Sequence, residues 1–573
     1  MQHRTKKIYK KESFFYGVLL LWLTVNIVQA AVTGLLNDEA YYWFYGQNLD
    51  WGYYDHPPLI AFVIKIGEIL FPGYLGVRIV VVFLSAGIIL LLKVLTRPND
   101  YLLFAVFFFS VFIFQSVGFI AVPDTVFIFF VILFLYAYKH YLKNESAGNI
   151  LLLLLAVTGM FYSKYFAFPV VMFTVLSNIS LIKKRSFWII LFGVTVLLIP
   201  HLLWQIKHDF VTIYFHLKER NVNADFALSN IFGFIGGQLL LLNPLTVYFI
   251  VKYFFKGEVR DKFDRAMVFN VVGFFTLAFF LSFFKRIEAN WTVAAMAPLL
   301  IFSYKSLQKS NFNRKVFYFL AATGMLLILL VRINIAFNLS ATKGPKILRQ
   351  FLGWQTAAKD IAETAQGRPV VFSCSYQNAS QYIFHTGRQA FTFNNLFYRK
   401  NQFDLAGIEP RLQGKEVIFI KDTKYLDDHY KKPFEMPEPD SILLFGKWWY
   451  YKNIERYYSY NFLNVKLGLE KHKFKAGSTI TVPVDLINPL DSVINISPGV
   501  DSYLTVCFAV KNRPYQYTEV EKITGLRLKK SYHTQLTVKV PEKSGKYFLW
   551  VSVQTGWLSP AINHRVFKVK VVE

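Results

Sequence analysis

Two adjacent carboxylates, Asp38 and Glu39, directly follow the first long apolar stretch of the chain, at residues 13–34. A carboxylate at a membrane boundary is costly and usually faces a cavity or a partner group. Such a group can act as a general base that takes a proton from a hydroxyl. Successive helix positions point about 100° apart, so one acid would face a reacting centre while the other binds backbone, a cation or a neighbouring wall. Helix capping by Asn37 or Asp38 is the simpler alternative.

A third acid, Asp124, follows Pro123 at the start of another apolar run. Capping of the helix that begins there would explain this acid alone. Three acids at one membrane depth are less easily explained by three caps, and they predict a catalytic group of Asp38, Glu39 and Asp124.

Basic side chains at the ends of apolar runs form a second candidate group, which would bind a phosphate. Lys164 lies between two apolar runs, and a lysine buried there needs an anion, whereas snorkelling to the surface is the alternative. The other candidates are His56, Lys207, His208 and Arg286. Phosphate binding would explain these positions, and so would solvated loops.

Aromatic residues cluster beside the first acids. Tyr41, Tyr42 and Tyr54 lie within this segment, and Trp291 follows a later apolar run. Aromatic rings beside carboxylates suit the faces of sugars, so these four residues are the candidate contacts for a sugar or an acceptor. An aromatic belt at the membrane interface is the alternative explanation.

The composition places these residues in a polytopic membrane protein. The 573 residues are 54% hydrophobic and 18% aromatic, and the mean hydropathy is +0.34. The net charge of +27 comes from Lys and Arg in short loops between apolar runs, which favours anionic lipid and membrane topology over nucleic acid. The chain has no P-loop, no dinucleotide-binding glycine motif after a strand and no HExxH motif. If it is an enzyme, its transferred group arrives already activated.

About eleven apolar stretches are long enough to be candidate membrane spans. They lie near 13–34, 75–95, 101–120, 123–140, 148–162, 165–182, 187–206, 229–253, 267–284, 290–305 and 315–337. Lys6, Lys7, Lys10 and Lys11 place the N-terminus in the cytoplasm, and every second loop after them is basic. An odd number of spans then places everything after about residue 338 on the outside.

The outer part differs in character from the spans. Residues 338–460 mix a helical pattern with short strands and predict an α/β domain, and residues 461–573 alternate as strands and predict an immunoglobulin-like β-sandwich. The predicted domains are therefore a transmembrane domain at 1–337, an α/β domain at 338–460 and a sandwich at 461–573. Cys374 and Cys507 are too few for a disulfide framework, although they suffice for one bridge.

The order of motifs along the chain supplies a resemblance. The motifs are Asp38-Glu39-Ala40-Tyr41-Tyr42, Tyr54-Asp55-His56-Pro57-Pro58-Leu59, Pro123-Asp124, Ser163-Lys164-Tyr165, Trp204 with His208-Asp209-Phe210, Gln238 with Asn243-Pro244, Asn290-Trp291 and Asn401-Gln402-Phe403-Asp404. Together they resemble the bacterial branch of the protein O-mannosyltransferase and aminoarabinose transferase group, which are multi-spanning glycosyltransferases of the GT-C fold. The resemblance covers residue 13 to about residue 410 and does not include the final sandwich.

The resemblance implies a function. A sugar would pass with inversion from a polyprenyl-phosphate donor to a hydroxyl of a lipid A, lipopolysaccharide, glycan or protein acceptor, at the outer face of the bacterial inner membrane. Asp38 would be the base, Glu39 would shape the site or bind acceptor, and Asp124 would support it. Lys164, Lys207 and Arg286 would stabilise the leaving phosphate. No cofactor is implied apart from a divalent metal ion held by the acids.

Two positions depart from the aminoarabinose transferases. These enzymes carry Arg after the first-loop acids and Lys before the Pro-Pro, where this chain has Tyr41 and His56. The departure removes two fixed positive charges, so a neutral sugar on the lipid phosphate is at least as well supported as 4-amino-arabinose.

Two other classes of function compete with the transferase. A transporter or lipid-handling protein would show ionisable residues or broken helices near the membrane midplane, whereas the acids here cluster at one face. A surface scaffold would need only one span, and about eleven would be unexplained. The sandwich could still bind glycan through Tyr547, Trp550 or Trp557, for which core packing is the alternative.

Overall fold

The computed structural model describes residues 11–217, 226–339, 346–396, 398–423, 435–470, 472–510, 513–564 and 567–573. Lys6, Lys7 and Lys10, on which the predicted position of the N-terminus depends, lie outside these residues. The chain divides into two compact units. The first unit comprises Met1–Tyr214 and Ala224–Leu352, and the second comprises Phe215–Asn223 and Gly353–Glu573.

The first unit is helical. Its α-helices are α1 Glu12–Val32, α2 Asn37–Gln47, α3 Leu59–Leu70, α4 Gly73–Thr96, α5 Tyr101–Phe109, α6 Phe112–Val117, α7 Pro123–Lys143, α8 Ala147–Ser163, α9 Ala167–Ser177, α10 Arg185–Lys207, α11 Val211–Leu217 at its border with the second unit, α12 Leu228–Leu242, α13 Val247–Phe255, α14 Lys262–Ser282, α15 Val293–Leu307, α16 Arg314–Phe337 and the short α17 Lys346–Arg349. Its largest core joins the apolar faces of these helices around the buried rings of Phe104, Phe108, Tyr304 and Phe317.

Among the described residues, six helices are long and apolar enough to cross a membrane by themselves: α1, α4, α7, α10, α14 and α16. The helices α12 and α13 make a seventh if the pair, bent by 96°, is one span. The protein is therefore a multi-pass membrane protein, and the count of eleven spans stays a prediction. The predicted span at 101–120 is two short helices, α5 and α6, and the predicted pair at 148–182 forms the short apolar helices α8 and α9.

The breaks in the two interrupted helical segments contact each other. The Asn243 side chain, between α12 and α13, donates from Nδ2 to the carbonyl of Ser110, between α5 and α6, at 3.0 Å. Its Oδ1 accepts from Leu245 N–H at 3.0 Å, and its backbone adopts the left-handed φ of 72°. Irregular backbone at membrane depth must find its hydrogen bonds within the protein, and Asn243 supplies them. Gly324 of α16 packs directly on this side chain.

The loops predicted to be cytoplasmic lie at one end of the first unit, and the loops predicted to be outside lie at the other. At the end predicted to be cytoplasmic, Lys93 pairs with Glu12 at 2.9 Å and Arg314 with Asp100 at 2.7 Å. The loops predicted to be outside meet one another at the opposite end, where the candidate site lies. The contacts agree with the alternation of the loops, and the orientation of the bundle in the membrane stays a prediction.

Replacing Gly324 with alanine is expected to destabilise the first unit. An added Cβ atom would clash with the Asn243 amide, and moving that amide breaks two hydrogen bonds at the helix breaks. We expect a loss of about 1–3 kcal/mol in the free energy of unfolding, measured as a lower unfolding temperature of the purified protein in detergent. Gly236→Ala in α12 is the matched control, because its Cβ would meet no atom within 4 Å. An unchanged unfolding temperature for Gly324→Ala would contradict the role given to Asn243.

The second unit contains an α/β sheet. Its helices are α18 Trp354–Ala365, α19 Tyr376–Thr386 and α20 Gln402–Leu405, and its first strands are β1 Val370–Ser373, β2 Ala390–Phe393, β3 Lys415–Lys421, β4 Asp440–Leu444 and β5 Lys447–Tyr457. The strand order is β2-β1-β3-β5-β4. β1 runs parallel to β2 and β3, whereas β5 is antiparallel to β3 and β4. β1 and β2 are buried throughout and carry only apolar or small side chains, as expected for parallel strands.

The rest of the second unit is β-rich. Its strands are β6 Asn464–Leu467, β7 Lys473–Lys475, β8 Thr479–Ile487, β9 Ile494–Asn495, β10 Ser502–Val510, β11 Arg513–Lys522, β12 Arg527–Leu528, β13 Ser531–Lys539, β14 Gly545–Thr555 and β15 Phe567–Val572. One sheet has the order β11-β10-β14-β15-β7 and another β13-β8-β6, and a small pair joins β12 and β9. The inward residues of the two larger sheets share one core, which confirms the predicted β-rich C-terminal part. Cys374 and Cys507 are not joined by a disulfide bond.

Glu409 joins the two parts of the second unit. Its carboxylate is buried and accepts hydrogen bonds from Ser459 Oγ at 2.6 Å and from the N–H groups of Asn461 and Phe462, each at 3.0 Å. These donors belong to the segment between β5 and β6. Burial, with a smaller contribution from Asp404, raises the pKa of Glu409 to about 7.

The pKa of Glu409 predicts a pH-dependent stability of the second unit. Because the folded pKa of about 7 lies above the usual 4.5, the folded state binds more protons between these values. Stability therefore falls as pH rises from about 4.5 to about 7. Unfolding monitored by tryptophan fluorescence should show this slope in the wild type and lose it in Glu409→Gln. Exposed Glu455→Gln should keep the slope, and an identical slope in Glu409→Gln would contradict the assignment.

Candidate active site

Glu39 forms a buried ion pair with Arg78. The Arg78 guanidinium of α4 donates from Nε to Glu39 Oε1 at 2.8 Å and from Nη2 to Oε2 at 2.5 Å, and both side chains are fully buried. The same guanidinium donates to the carbonyl oxygens of Ala30, Thr33 and Gly34, at the end of α1. Bidentate pairs of this kind are the strongest that arginine makes. Arg78 therefore fixes the chain where it leaves the first span.

Glu39 also accepts two backbone hydrogen bonds. Leu36 N–H, just before α2, donates to Oε2 at 2.9 Å, and Ala121 N–H, just before α7, donates to Oε1 at 2.7 Å. In the sequence, Leu36 is two residues before Asp38, and Ala121 is three residues before Asp124. Glu39 thus holds the starts of α2 and α7 together. With its carboxylate occupied by Arg78 and two N–H groups, we assign Glu39 a positioning role, and the catalytic role stays a prediction for Asp38 and Asp124.

Asp38 lies in the first turn of α2 and its side chain is half-buried. The unsatisfied N–H groups of a helix N-terminus favour a negative charge at this position. Because neighbouring helix positions point about 100° apart, the direction taken by the buried Glu39 leaves Asp38 on a different face of α2. Asp38 is the more accessible of the two acids, as a base that must meet a substrate has to be.

Asp124 and Lys164 form the second ion pair of the site. Lys164 Nζ, at the C-terminal end of α8, donates to Asp124 Oδ1 at 2.7 Å, and the side chains are 8% and 15% exposed. Asn290 Nδ2 donates to Asp124 Oδ2 at 3.1 Å. Three segments predicted to share the outer face therefore meet at one carboxylate. Lys164 does not snorkel away from the protein, since it is buried and paired.

The aromatic candidates pack mainly against one another. Tyr45 stacks on Tyr53, with ring centroids 4.2 Å apart, and its hydroxyl donates to Asp55. Burial, followed by the charge of Asp55, raises the pKa of Tyr45 well above its usual value, so the phenol keeps its proton. The predicted sugar contacts Tyr41 and Tyr54 are each only 1% exposed. These two rings are buried, and direct contact with a sugar stays a prediction.

Two further candidates lie in hydrogen-bonded pairs or ring contacts. His56 Nε2 lies 3.2 Å from the Tyr42 hydroxyl. Trp291 lies in a short 3₁₀ turn and packs on Phe166 with ring centroids 5.6 Å apart, and Lys285 Nζ lies 4.8 Å from the Trp291 ring centroid. Trp291 is thereby placed next to Asn290 and the Asp124 pair.

The remaining basic candidates lie nearer the surface. Lys207 is exposed at the end of α10, and His208 stacks on Trp204 with ring centroids 4.2 Å apart. Arg286 is 80% exposed and pairs with Glu288 at 3.2 Å. Within the described part of the chain, no hydrogen bond joins these three residues to the Asp124–Lys164 cluster. Their part in phosphate binding stays a prediction.

Sequence reasoning missed a polar network centred on His201. His201, buried within α10, lies with Nδ1 2.6 Å from the Trp51 carbonyl and Nε2 2.9 Å from the Tyr165 hydroxyl. Gln205 Nε2 donates to the Tyr165 hydroxyl at 2.9 Å and to Thr212 Oγ1 at 2.8 Å. The network holds the aromatic loop after α2 against α10 and the Ser163-Lys164-Tyr165 turn. The sequence does carry a signal for this network, because His201 and Gln205 are polar residues inside an apolar run.

Among the described residues, no three His, Cys, Asp or Glu side chains lie close enough together to hold a metal ion. Glu39 is occupied by Arg78, and Asp124 by Lys164 and Asn290. The proposed metal ligands Asp38, Glu39 and Asp124 thus do not form a ready-made cluster.

Comparisons with known proteins agree with this architecture. The family model described as dolichyl-phosphate-mannose-protein mannosyltransferase matches residues 55–204, which include His56, Asp124 and Lys164 but not Asp38. The lipid A galacturonosyltransferase RgtD of Rhizobium johnstonii is 27% identical over 304 residues, which cover 48% of this chain and 61% of the relative. The match therefore spans about three fifths of the length of that curated relative.

Solved structures show the same fold. ArnT from Cupriavidus metallidurans in the apo state aligns with a TM-score of 0.53 at 12% identity, over 76% of this chain and 98% of ArnT. Its complex with undecaprenyl phosphate aligns with a TM-score of 0.52 at 13% identity, over 77% and 97% of the two chains. The fold and the resemblance to the GT-C group predicted from the sequence motifs are confirmed. About a quarter of this chain has no counterpart in ArnT.

The buried ion pair predicts non-additive effects of substitution. Arg78→Met would leave the Glu39 carboxylate buried without its cation, and Glu39→Met would leave the guanidinium without its anion, each at a cost of about 3–5 kcal/mol. We expect the double variant to be less destabilised than the sum of the two single variants, in thermal unfolding of the detergent-purified protein. Arg97→Met, at an exposed arginine beyond the end of α4, is the control. Additive effects of the two substitutions would show that the pair is not energetically coupled.

Proposed function

We propose that the protein is an inverting glycosyltransferase that moves a sugar from a polyprenyl-phosphate donor to a hydroxyl of a cell-envelope acceptor. The reaction would occur at the outer face of the bacterial inner membrane, with the N-terminus in the cytoplasm and the second unit outside. The observation that carries the proposal is the Asp124–Lys164–Asn290 cluster at the same end of the bundle as Asp38. A lysine buried at the end of an apolar helix and held by an acid suits a lipid-borne phosphate.

In the proposed reaction Asp38 is the base. The acceptor hydroxyl gives its proton to the Asp38 carboxylate while its oxygen forms a bond to the anomeric carbon. The bond between that carbon and the phosphate oxygen breaks, and the phosphate leaves with the electron pair on the opposite face of the sugar. The products are the glycosylated acceptor with inverted configuration and the polyprenyl phosphate. A positioned base of this kind contributes about 10²–10⁴-fold to the rate.

Lys164 would stabilise the charge that develops on the leaving phosphate. An ammonium group has three N–H donors, and the bond to Asp124 uses one of them. Asp124 therefore orients the ammonium while donors remain for a phosphate oxygen. Asn290 holds the other oxygen of Asp124 and keeps the carboxylate from turning away.

The identity of the sugar is limited by the charges around it. Tyr41 and His56 replace the two cations found in the aminoarabinose transferases, and Arg78 is engaged by Glu39. This arrangement supports a neutral sugar at least as well as 4-amino-arabinose. The relative RgtD is named for the transfer of galacturonic acid to lipid A, so a lipid A-type acceptor is the first to test.

Broken helices favour one alternative function. The bend of 96° between α12 and α13 is of the kind that transporters use near the membrane midplane. A transporter would move the substrate across a proteoliposome membrane without releasing polyprenyl phosphate. Measuring flux and polyprenyl phosphate in the same reconstituted sample separates the two functions.

Purified protein reconstituted with a polyprenyl-phosphate hexose and a lipid A-type acceptor should release polyprenyl phosphate. Asp38→Asn should lower this rate by at least about 100-fold, because an amide cannot take the proton. Lys164→Gln should lower kcat by about 10–1000-fold, because the leaving charge loses its cation.

The opposite end of the bundle offers matched controls. Glu145 and Lys184 form an acid–lysine pair there, so Glu145→Gln and Lys184→Gln should leave the rate within about twofold of wild type. Full activity of Asp38→Asn would remove Asp38 as the base. If Lys164→Gln and Lys184→Gln lowered the rate equally, the proposed role of Lys164 would be contradicted.

A further inference from the structure

The β-rich part of the second unit carries a ridge of lysines that the proposed transfer reaction does not use. Lys570 of β15 lies directly opposite Lys546 of β14 on one side and opposite Lys473 of β7 on the other. Residues opposite each other in a sheet share one face, so these three side chains form a row across three strands. Lys568 and Lys475 lie two residues along their strands from members of the row, on the same face. We call these five residues the lysine ridge.

The alternation of the strands confirms which face the ridge occupies. Val569 and Val571 of β15 and Tyr547 of β14 are buried in the core between the sheets. All five lysines, which alternate with such residues, are exposed. The ridge therefore projects to solvent from the outer face of the sheet.

Ordinary surface chemistry explains the ridge only in part. Lysines on an edge strand prevent edge-to-edge pairing, and β7 is an edge strand, which accounts for Lys473 and Lys475. β14 and β15 are internal, so edge protection does not account for the others. Like charges placed directly opposite each other in a sheet destabilise it.

Other lysines of the same β-rich part have carboxylate partners. Lys522 pairs with Asp501 at 2.6 Å and Lys539 with Glu542 at 2.6 Å. None of the five ridge lysines forms an ion pair within the described part of the chain. The ridge is thus a concentration of positive charge that the described fold does not itself neutralise.

A groove of about 350 Å³ runs along the ridge. Four of the ridge lysines line it together with His472, Phe548 and parts of Tyr547 and Val569, and none of the described lining residues is acidic. The His472 ring is held in place by stacking on Phe567, with ring centroids 4.7 Å apart, and by a 3.0 Å contact between Nδ1 and the Lys568 carbonyl. The groove combines cations with aromatic surface.

We propose that this groove binds a phosphorylated saccharide, such as the headgroup of an anionic glycolipid. The outer lysines of the row are two strand spacings apart, about 10 Å, which allows two anionic groups or one anionic group on a larger body to be held. The groove has more room than a single inorganic phosphate needs, and aromatic edges suit a sugar ring.

A flat bilayer surface would need no concave groove, and a nucleic-acid duplex would need a longer basic surface. The site lies outside the proposed transfer centre and does not depend on its chemistry.

The test measures binding to the full-length protein in nanodiscs of neutral lipid, by calorimetry. The probe is a glucosamine disaccharide that carries a phosphate at each end, and the comparison ligands are the same disaccharide without phosphate and inorganic phosphate alone. We expect the phosphorylated disaccharide to bind most tightly and to bind more weakly as salt rises. The variant K473Q/K546Q/K570Q should weaken its binding by at least about tenfold.

Two control variants make the result specific. K466Q/K529Q/K530Q removes the same charge from exposed lysines elsewhere in the β-rich part and should bind the probe as wild type does. Asp38→Asn should also bind as wild type, so failure of the transfer proposal would leave this one standing. Unchanged binding by K473Q/K546Q/K570Q would overturn the proposal. Equal binding of the unphosphorylated disaccharide, or of inorganic phosphate alone, would overturn it as well.

Discussion

The bidentate pair between Glu39 and Arg78 is the constraint on which the candidate site depends. Ten polar atoms meet there: the three guanidinium nitrogens, the two carboxylate oxygens, three carbonyl oxygens at the end of α1, and the backbone nitrogens of Leu36 and Ala121. Each would be costly to bury alone in the interior of a membrane protein. Because they satisfy one another, the chain can leave the first span, turn into α2 and approach α7 without unpaired backbone groups. The separation of Asp38 from Asp124 follows from this arrangement.

Rigid placement of the two acids also requires the helices behind them to hold their shape. Two of the helical segments are interrupted, and Asn243 joins the interruptions by bonding to the Ser110 carbonyl. On the side of the site, the His201 network fastens the aromatic loop to α10 and to the turn that carries Lys164. The two arrangements have the same physical origin. Where the backbone or a polar side chain lies inside the apolar bundle, another part of the protein supplies its hydrogen bonds, and each such bond joins segments that are distant in sequence.

The sequence predicts these features unequally. Apolar runs and strand alternation are local patterns, so the positions of α4, α7, α10 and α16 and the β-rich C-terminal part follow from them. The argument from helix geometry also predicts that one of the two first-loop acids binds backbone, a cation or a neighbouring wall, and Glu39 binds the first two. The identity of the cation does not follow, because Arg78 lies within a long apolar run and nothing in the local sequence selects its partner. The same holds for His201 and for the break at Ser110, where a continuous apolar stretch conceals an interruption that only tertiary contacts define.

Three buried cations in or near the site differ in what balances their charge. Arg78 is balanced by Glu39 and Lys164 by Asp124. Arg332 of α16 is buried too, but its partners in the described part of the chain are neutral. They are the side-chain oxygens of Asn26, Gln29 and Gln115 and the ring of Phe119. The centroid of the Phe119 ring lies 5.0 Å from the Arg332 guanidinium and 5.6 Å from that of Arg78, so both cations contact one ring. A charge inside a membrane domain is costly unless it serves a partner or a site. Arg332 therefore joins α16 to α1 and α6 through neutral hydrogen-bond acceptors and not through an ion pair.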